Sequence, residues 1–175
     1  MTDRAKLLSK SNFLLGGDCP VKLKYFKSGY PSLTKSGSYL EFFADGGFMV
    51  EALARALFPT GLWIQPDASE TPESATARML DVPGDGVWFE PTFVVDGLLI
   101  RADILQRIGT DWRLIEVKAA SFNSLEEPNP FRGKRGVILA GWRDYLLDVA
   151  FQTQLWSHGH FWICQLQHMC LKRNI

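Results

Sequence analysis

The sequence predicts an α/β domain in the order helix, three antiparallel strands, helix, strand, with short helices at its N-terminus. Two observations carry this. Residues 87–118 are dominated by β-branched and aromatic side chains and are split by Asp96-Gly97, a strong two-residue hairpin signal. On either side, over 38–58 and 142–156, apolar residues recur at the three- and four-residue steps of an amphipathic helix. With 175 residues, 46% of them hydrophobic and 22% charged, the composition is that of one globular domain spanning 1–175.

Residues 1–35 contain Gly16-Gly17, Cys19-Pro20 and the basic-aromatic run Lys22-Leu23-Lys24-Tyr25-Phe26-Lys27, which predict a short helix, a turn and a second short helix. From 38 to 58 the apolar stripe is Leu40, Phe43, Met49, Val50, Leu53, Ala54 and Leu57. Pro59 and Gly61 end it, and Gly46-Gly47 is expected to interrupt it. Residues 65–86 are acidic and proline-rich and read as a surface connection, within which Thr71-Pro72-Glu73 starts a short helix through Leu80. The strands are predicted over 87–95, 98–107 and 112–118. A basic loop with Pro128, Pro130, Arg132, Lys134 and Arg135 leads to the second core helix and then an apolar strand over 160–166.

Nineteen basic and nineteen acidic side chains leave no net charge, so no global positive field points to nucleic acid, and any phosphate-binding surface must be local. No apolar run approaches the ~20 residues needed to cross a bilayer, and no membrane partner is expected. The first thirteen residues lack the apolar region and cleavage site of a signal peptide, which makes a cytoplasmic location the default. Three cysteines, Cys19, Cys164 and Cys170, are too few and too irregular for a disulfide framework.

The chemistry sits in the hairpins. With Asp96 and Gly97 as loop residues, Glu90 lies opposite Asp103; with a second turn at Gly109-Thr110, Asp103 also lies opposite Glu116. Alternation places Glu116 and Lys118 on one face and Ile115 and Val117 on the other. Glu90, Asp103, Glu116 and Lys118 therefore converge, provided the second loop has two residues. Carboxylates stacked across strands repel, and a divalent cation removes the penalty; oxygen ligands suit Mg²⁺ or Mn²⁺, completed by water and phosphate. Lys118 would orient or activate the attacking water and neutralise charge on a phosphate. On spacing alone, these residues fit equally well a solvated sheet face with Glu116 and Lys118 as a surface pair.

Asp103, twelve intervening residues and then Glu116-Val117-Lys118 resemble the signature of the PD-(D/E)XK nuclease superfamily, whose restriction-endonuclease-like core has the element order derived above. More narrowly, the chain resembles the RecB-like branch that includes the CRISPR-adaptation exonucleases. Leu8-Ser9-Lys10-Ser11 leading to Cys19-Pro20 is similar to that branch's opening segment, Glu90 to its extra acidic position, and Gln152-Thr153-Gln154-Leu155-Trp156 to its Gln-x-x-x-Tyr helix motif. The resemblance implies metal-dependent DNA cleavage, exonucleolytic, on single strands or duplex ends. It implies Lys118, Asp103, Glu116 and Gln152 as catalytic residues and Asp103, Glu116, Glu51, Glu90 and Val117 as the metal set. A non-catalytic nucleic-acid-binding module on the same fold is the competing expectation, and a structural domain with an aromatic partner surface is a third.

Two departures stand out. Where the branch often carries Gly-x-x-x-His on the first core helix, this chain has Gly47-Phe48-Met49-Val50-Glu51, so Glu51 is expected to replace a histidine ligand, the alternative being a solvated helix edge. Some relatives hold an iron–sulfur cluster with four cysteines; three fall one short, no cluster is expected, and zinc held by these with His168 has only weak spacing behind it. Arg132, Lys134, Arg135 and Arg143 are candidates for backbone phosphates, and Lys22, Lys24 and Lys27 with Tyr25 and Phe26 for a stacking surface. After the second helix only 160–175 remain, which reads either as a minimal nuclease module or as a truncated product.

Overall fold

The computed structural model describes residues 4–31, 38–119, 131–133 and 135–158, the side chains of 5, 38–46 and 154–158 excepted. The chain is mixed α/β with two mixed sheets. Among the described residues five α-helices run over Lys10–Asp18 (α1), Pro20–Lys27 (α2), Ser38–Ala56 (α3), Pro72–Leu80 (α4) and Ala140–His158 (α5). The strands are Leu8–Ser9 (β1), Leu62–Trp63 (β2), Gly86–Phe89 (β3), Thr92–Val95 (β4), Leu98–Arg101 (β5), Ile104–Ile108 (β6) and Asp111–Ile115 (β7). One sheet has the order β1-β5-β4 and the other β2-β3-β6-β7, with β1 and β2 as short parallel edges that the sequence pattern did not predict. Among the described residues no helix is long and apolar enough to cross a membrane.

Both hairpins turn where turn chemistry places them. Asp96 and Gly97 adopt φ of 50° and 80°, the left-handed pair that a two-residue turn matched to strand twist requires. Val95 then pairs with Leu98, and Thr92 with Arg101. The second hairpin closes at Gly109-Thr110, pairing Ile108 with Asp111 and Ile104 with Ile115. Thr71 caps α4 by accepting the Ser74 N–H at 3.2 Å, with Pro72 in the first turn as read from the sequence.

The strands expected over 87–95 and 98–107 are not single strands. Each bends and passes from one sheet to the other, at Glu90-Pro91 and at Ala102-Asp103. Pro91 has no N–H to donate, and Glu90 takes φ of 61°, a turn no extended strand makes. Register survives the bend because Glu90 N–H donates to the Asp103 carbonyl and Ala102 N–H to the Pro91 carbonyl, both at 3.1 Å. The third strand leaves the ladder at Ile115, short of the expected 118. Helix α3 runs unbroken through Gly46-Gly47; each glycine costs about 1 kcal/mol against alanine, which the burial further along the same helix offsets. The strand expected over 160–166 lies outside the described residues.

Burial follows the alternation. On one face of the four-stranded sheet Val87, Phe89, Ile104, Ile115 and Val117 pack against Val50 and Ala54 of α3. On the other, Trp88, Leu105, Trp112 and Leu114 form a core with Ala102, Ile64 and Ala75 of α4. The small sheet buries Ile100 with Phe151 of α5 and Phe13 of α1, whose rings stack at 4.9 Å. Helices α1 and α5 are thereby tied to the point where the strands change sheets.

Candidate active site

The bend is also where the polar residues gather. Beyond the rung Ile104–Ile115 the ladder gives way, and the Asp103 carboxylate takes its place by accepting the Val117 N–H at 2.6 Å. This fixes Asp103 beside the Glu116-Val117-Lys118 segment. From the other side, β1 pairs in parallel with β5 and positions the first turn of α1, which is capped by the Ser9 hydroxyl accepting the Asn12 N–H at 3.3 Å. The turn delivers Lys10, whose Nζ lies 2.7 Å from Glu116 Oε1 and 3.4 Å from Asp148 Oδ1. Helix α5 presents Asp148 and Gln152 on one face, one turn apart.

These groups form one network. Lys118 Nζ donates to Glu116 Oε1 and, at 2.7 Å, to Asp148 Oδ2. Gln152 Nε2 donates to Glu116 Oε2 at 2.8 Å and to Asp148 Oδ1 at 3.1 Å, so both amide hydrogens are used. Its Oε1, buried in a side chain with no exposed surface, has no hydrogen-bond partner among the described residues. Glu116 and Asp148 are 1% and 3% exposed, a degree of burial that charged groups tolerate only when paired.

Position separates the protonation of the two strand carboxylates. Burial pushes Asp103 up, Glu116 beside it pushes in the same direction, and the Val117 N–H pulls back less, leaving Asp103 at about 7. Burial also pushes Glu116 up, but the Lys10 and Lys118 ammoniums outweigh it and hold this carboxyl at about 2. Burial alone would lower Lys118; Glu116 and Asp148 more than compensate, so its ammonium is held charged above the usual lysine range. Opposed shifts within one polar cluster are what acid–base sites require, although structural ion-pair networks produce them too.

The structure brings together Asp103, Glu116, Lys118 and Gln152 of the expected site residues, and it adds Lys10 and Asp148. Two expected ligands are not brought to the group. Glu90 was expected to converge by alternation, but its left-handed φ redirects the side chain to an ion pair with Arg101, in a cleft also lined by Arg4, Ile64 and Thr92. Glu51 pairs with Arg55, one turn along α3 at 3.3 Å. Its helix covers the sheet face of Ile115 and Val117, opposite the one that alternation gives Glu116 and Lys118. Glu51→Ala is therefore expected to leave any Mg²⁺-dependent cleavage unchanged and to cost about 0.5 kcal/mol, the value of an ion pair one turn apart on a helix, which thermal melting beside an activity assay would check. Val117 has an apolar, buried side chain and has only its backbone to offer a metal.

Of the basic candidates, Arg132 donates to the Gly136 carbonyl at 2.7 Å, Arg143 pairs with Asp144 at 3.7 Å, Arg135 is exposed, and Lys134 lies outside the described residues. Lys22 pairs with Asp18, Lys27 reaches the Leu7 carbonyl, and Tyr25 and Phe26 are 50% and 61% exposed. Cys19 is half-buried at the junction of α1 and α2; Cys164, Cys170 and His168 lie outside the described residues.

Asp148 was legible as a carboxylate one helical turn before Gln152, and Lys10 as the basic residue of Leu8-Ser9-Lys10-Ser11; neither spacing by itself carries a role. Among the described residues no three His, Cys, Asp or Glu side chains are grouped as a metal set. Two carboxylates nevertheless suit Mg²⁺, which is commonly held by one or two carboxylates with water and substrate phosphate filling the rest. Asp103 and Glu116 supply that number of carboxylates, so the residues fit such a cation. Comparison with protein-family models, with curated proteins and with solved structures finds no match to this chain.

Proposed function

We propose that this chain is a Mg²⁺- or Mn²⁺-dependent nuclease that hydrolyses DNA phosphodiester bonds exonucleolytically, on a restriction-endonuclease-like core of the RecB-like PD-(D/E)XK kind. The observation that carries the reading is the placement of Asp103, Glu116 and Lys118 at one bend, with Gln152 of α5 buried against them. Asp103 and Glu116 would hold the cation, which when bound supplies Lewis-acid polarisation of a phosphoryl oxygen and an acidified water. Lys118, kept charged by Glu116 and Asp148, is a poor general base; its role is to orient water and neutralise charge developing on the phosphoryl oxygens. Gln152 holds Glu116 and Asp148 in place through its two N–H donors. Arg132, Lys134, Arg135 and Arg143 supply phosphate contacts, which a chain without net charge must concentrate locally.

A second reading has its own support. Both Glu116 oxygens already accept from Lys10, Lys118 and Gln152, an arrangement that also suits a non-catalytic nucleic-acid-binding module whose ammoniums replace the cation. Incubating the full chain with single- and double-stranded DNA in Mg²⁺, Mn²⁺ or chelator, beside Lys118→Ala, separates the two. The nuclease reading expects metal-dependent cleavage that falls at least ~100-fold in the variant, the size of a lost electrostatic contribution to a transition state. DNA retention without cleavage would favour the binding module.

A further inference from the structure

We infer that Lys10 is an exchangeable cation: it occupies Glu116 in the free protein and transfers to a phosphate of the DNA strand when the carboxylates take up a divalent ion. The inference rests on the nuclease reading and adds a residue to it. Two ammoniums share Glu116 Oε1, one from the strand region and one from α1. They are not held alike. Lys118 has a second full-strength partner in Asp148 Oδ2 at 2.7 Å, whereas the second contact of Lys10, to Asp148 Oδ1, is 3.4 Å and past ordinary hydrogen-bond length. The Lys10 side chain is also the more exposed, 24% against 18%.

A divalent charge on Glu116 would face both ammoniums at close range, and the added repulsion favours the departure of one of them. The lysine with the single short bond and the nearer solvent is the one to leave. A phosphate approaching the carboxylates brings compensating negative charge to the space beside that ammonium, and a flexible four-carbon stem with three rotatable donors can follow it. Lys10 is thus a positioning residue for the strand, and in the free protein it competes with metal for Glu116.

The test uses Lys10→Met, which keeps stem length and loses the charge. Mn²⁺ binding to the DNA-free protein is measured by calorimetry, KM for a single-stranded oligonucleotide by cleavage, and folding by thermal melting. Lys10→Met is expected to bind Mn²⁺ about tenfold more tightly, the effect of removing one competing partly buried charge, while KM for DNA rises about tenfold. A merely structural lysine would not tighten metal binding on removal. Unchanged or weaker Mn²⁺ binding in a variant that melts like the parent would overturn the exchange. Tighter Mn²⁺ binding with unchanged KM would overturn the transfer to phosphate. Absence of Mn²⁺ binding in both proteins at millimolar metal would overturn the nuclease reading itself, and the inference with it.

Discussion

Glu116→Gln should lower the melting temperature in chelator by roughly 10 °C as well as abolish cleavage. Glu116 is 1% exposed and is the shared acceptor of Lys10 and Lys118. Neutralising it leaves two ammoniums with Asp148 as the remaining carboxylate within ion-pair distance and Asp103 farther off. Breaking one side of a buried pair costs about 3–5 kcal/mol, and because both lysine side chains keep some contact with water about 2–4 kcal/mol is the expected loss. For a chain of this length each kcal/mol moves the midpoint by about 2–4 °C. Adding Lys10→Met should return part of the loss, since it removes one of the two uncompensated charges, and the double variant should be more stable than the single effects add up to. A Glu116→Gln protein melting within a few degrees of the parent would show that the ammoniums are hydrated rather than held by this carboxylate.

What the sequence made legible was mostly local. The turns at Asp96-Gly97 and Gly109-Thr110 set the register up to the rung Ile104–Ile115, and that register brings Asp103 to the Glu116-Val117 segment just beyond it. Period-two alternation sorted Ile115 and Val117 from Glu116 and Lys118, and the Thr71-Pro72 start signal placed α4. What it could not carry was the bend at Glu90-Pro91. A β-branched run with one proline reads as an edge strand or as one strand with a flaw, and only the tertiary structure shows the ladder crossing between sheets there. The misplacement of Glu90 follows from the same point, because alternation assumes extended backbone and Glu90 has left it.

The site itself was half legible. Asp103, Glu116 and Lys118 lie within sixteen residues of one another, and their geometry follows from strand rules. Lys10 and Asp148 reach the same point from α1 and α5, over separations of 106 and 30 residues from Glu116 and Lys118. No periodicity encodes such contacts; they depend on β1 pairing with β5 and on Phe13 stacking against Phe151. Cross-strand repulsion alone would make the two carboxylates alike, removal of either one relieving the other. The two lysines make them opposites.

Asp103→Asn should therefore do the reverse of Glu116→Gln: abolish cleavage while stabilising the metal-free fold, and only above mildly acidic pH. The folded-state pKa of Asp103 is raised to about 7 from an ordinary value of 3.8, with burial and the Glu116 charge as causes. A raised acid binds its proton more tightly in the folded chain, so its stabilising contribution is complete below about pH 4 and is lost as pH rises toward 7. Asparagine removes that loss. In chelator the variant should match the parent near pH 4 and exceed it increasingly up to pH 8, by about 1–3 kcal/mol once discounted for the partial exposure of the site. Glu116 contributes in the opposite sense: its pKa of about 2 gives stability that is present above its unfolded value near 4.5 and lost as pH falls toward 2. Asp103→Asn should keep that acid limb and flatten the one between pH 4 and 7. Melting curves of parent and variant across pH 3 to 8 read both limbs, and a variant whose advantage is the same at pH 4 and pH 8 would show that folding does not raise the Asp103 pKa, leaving no net repulsion for a cation to relieve.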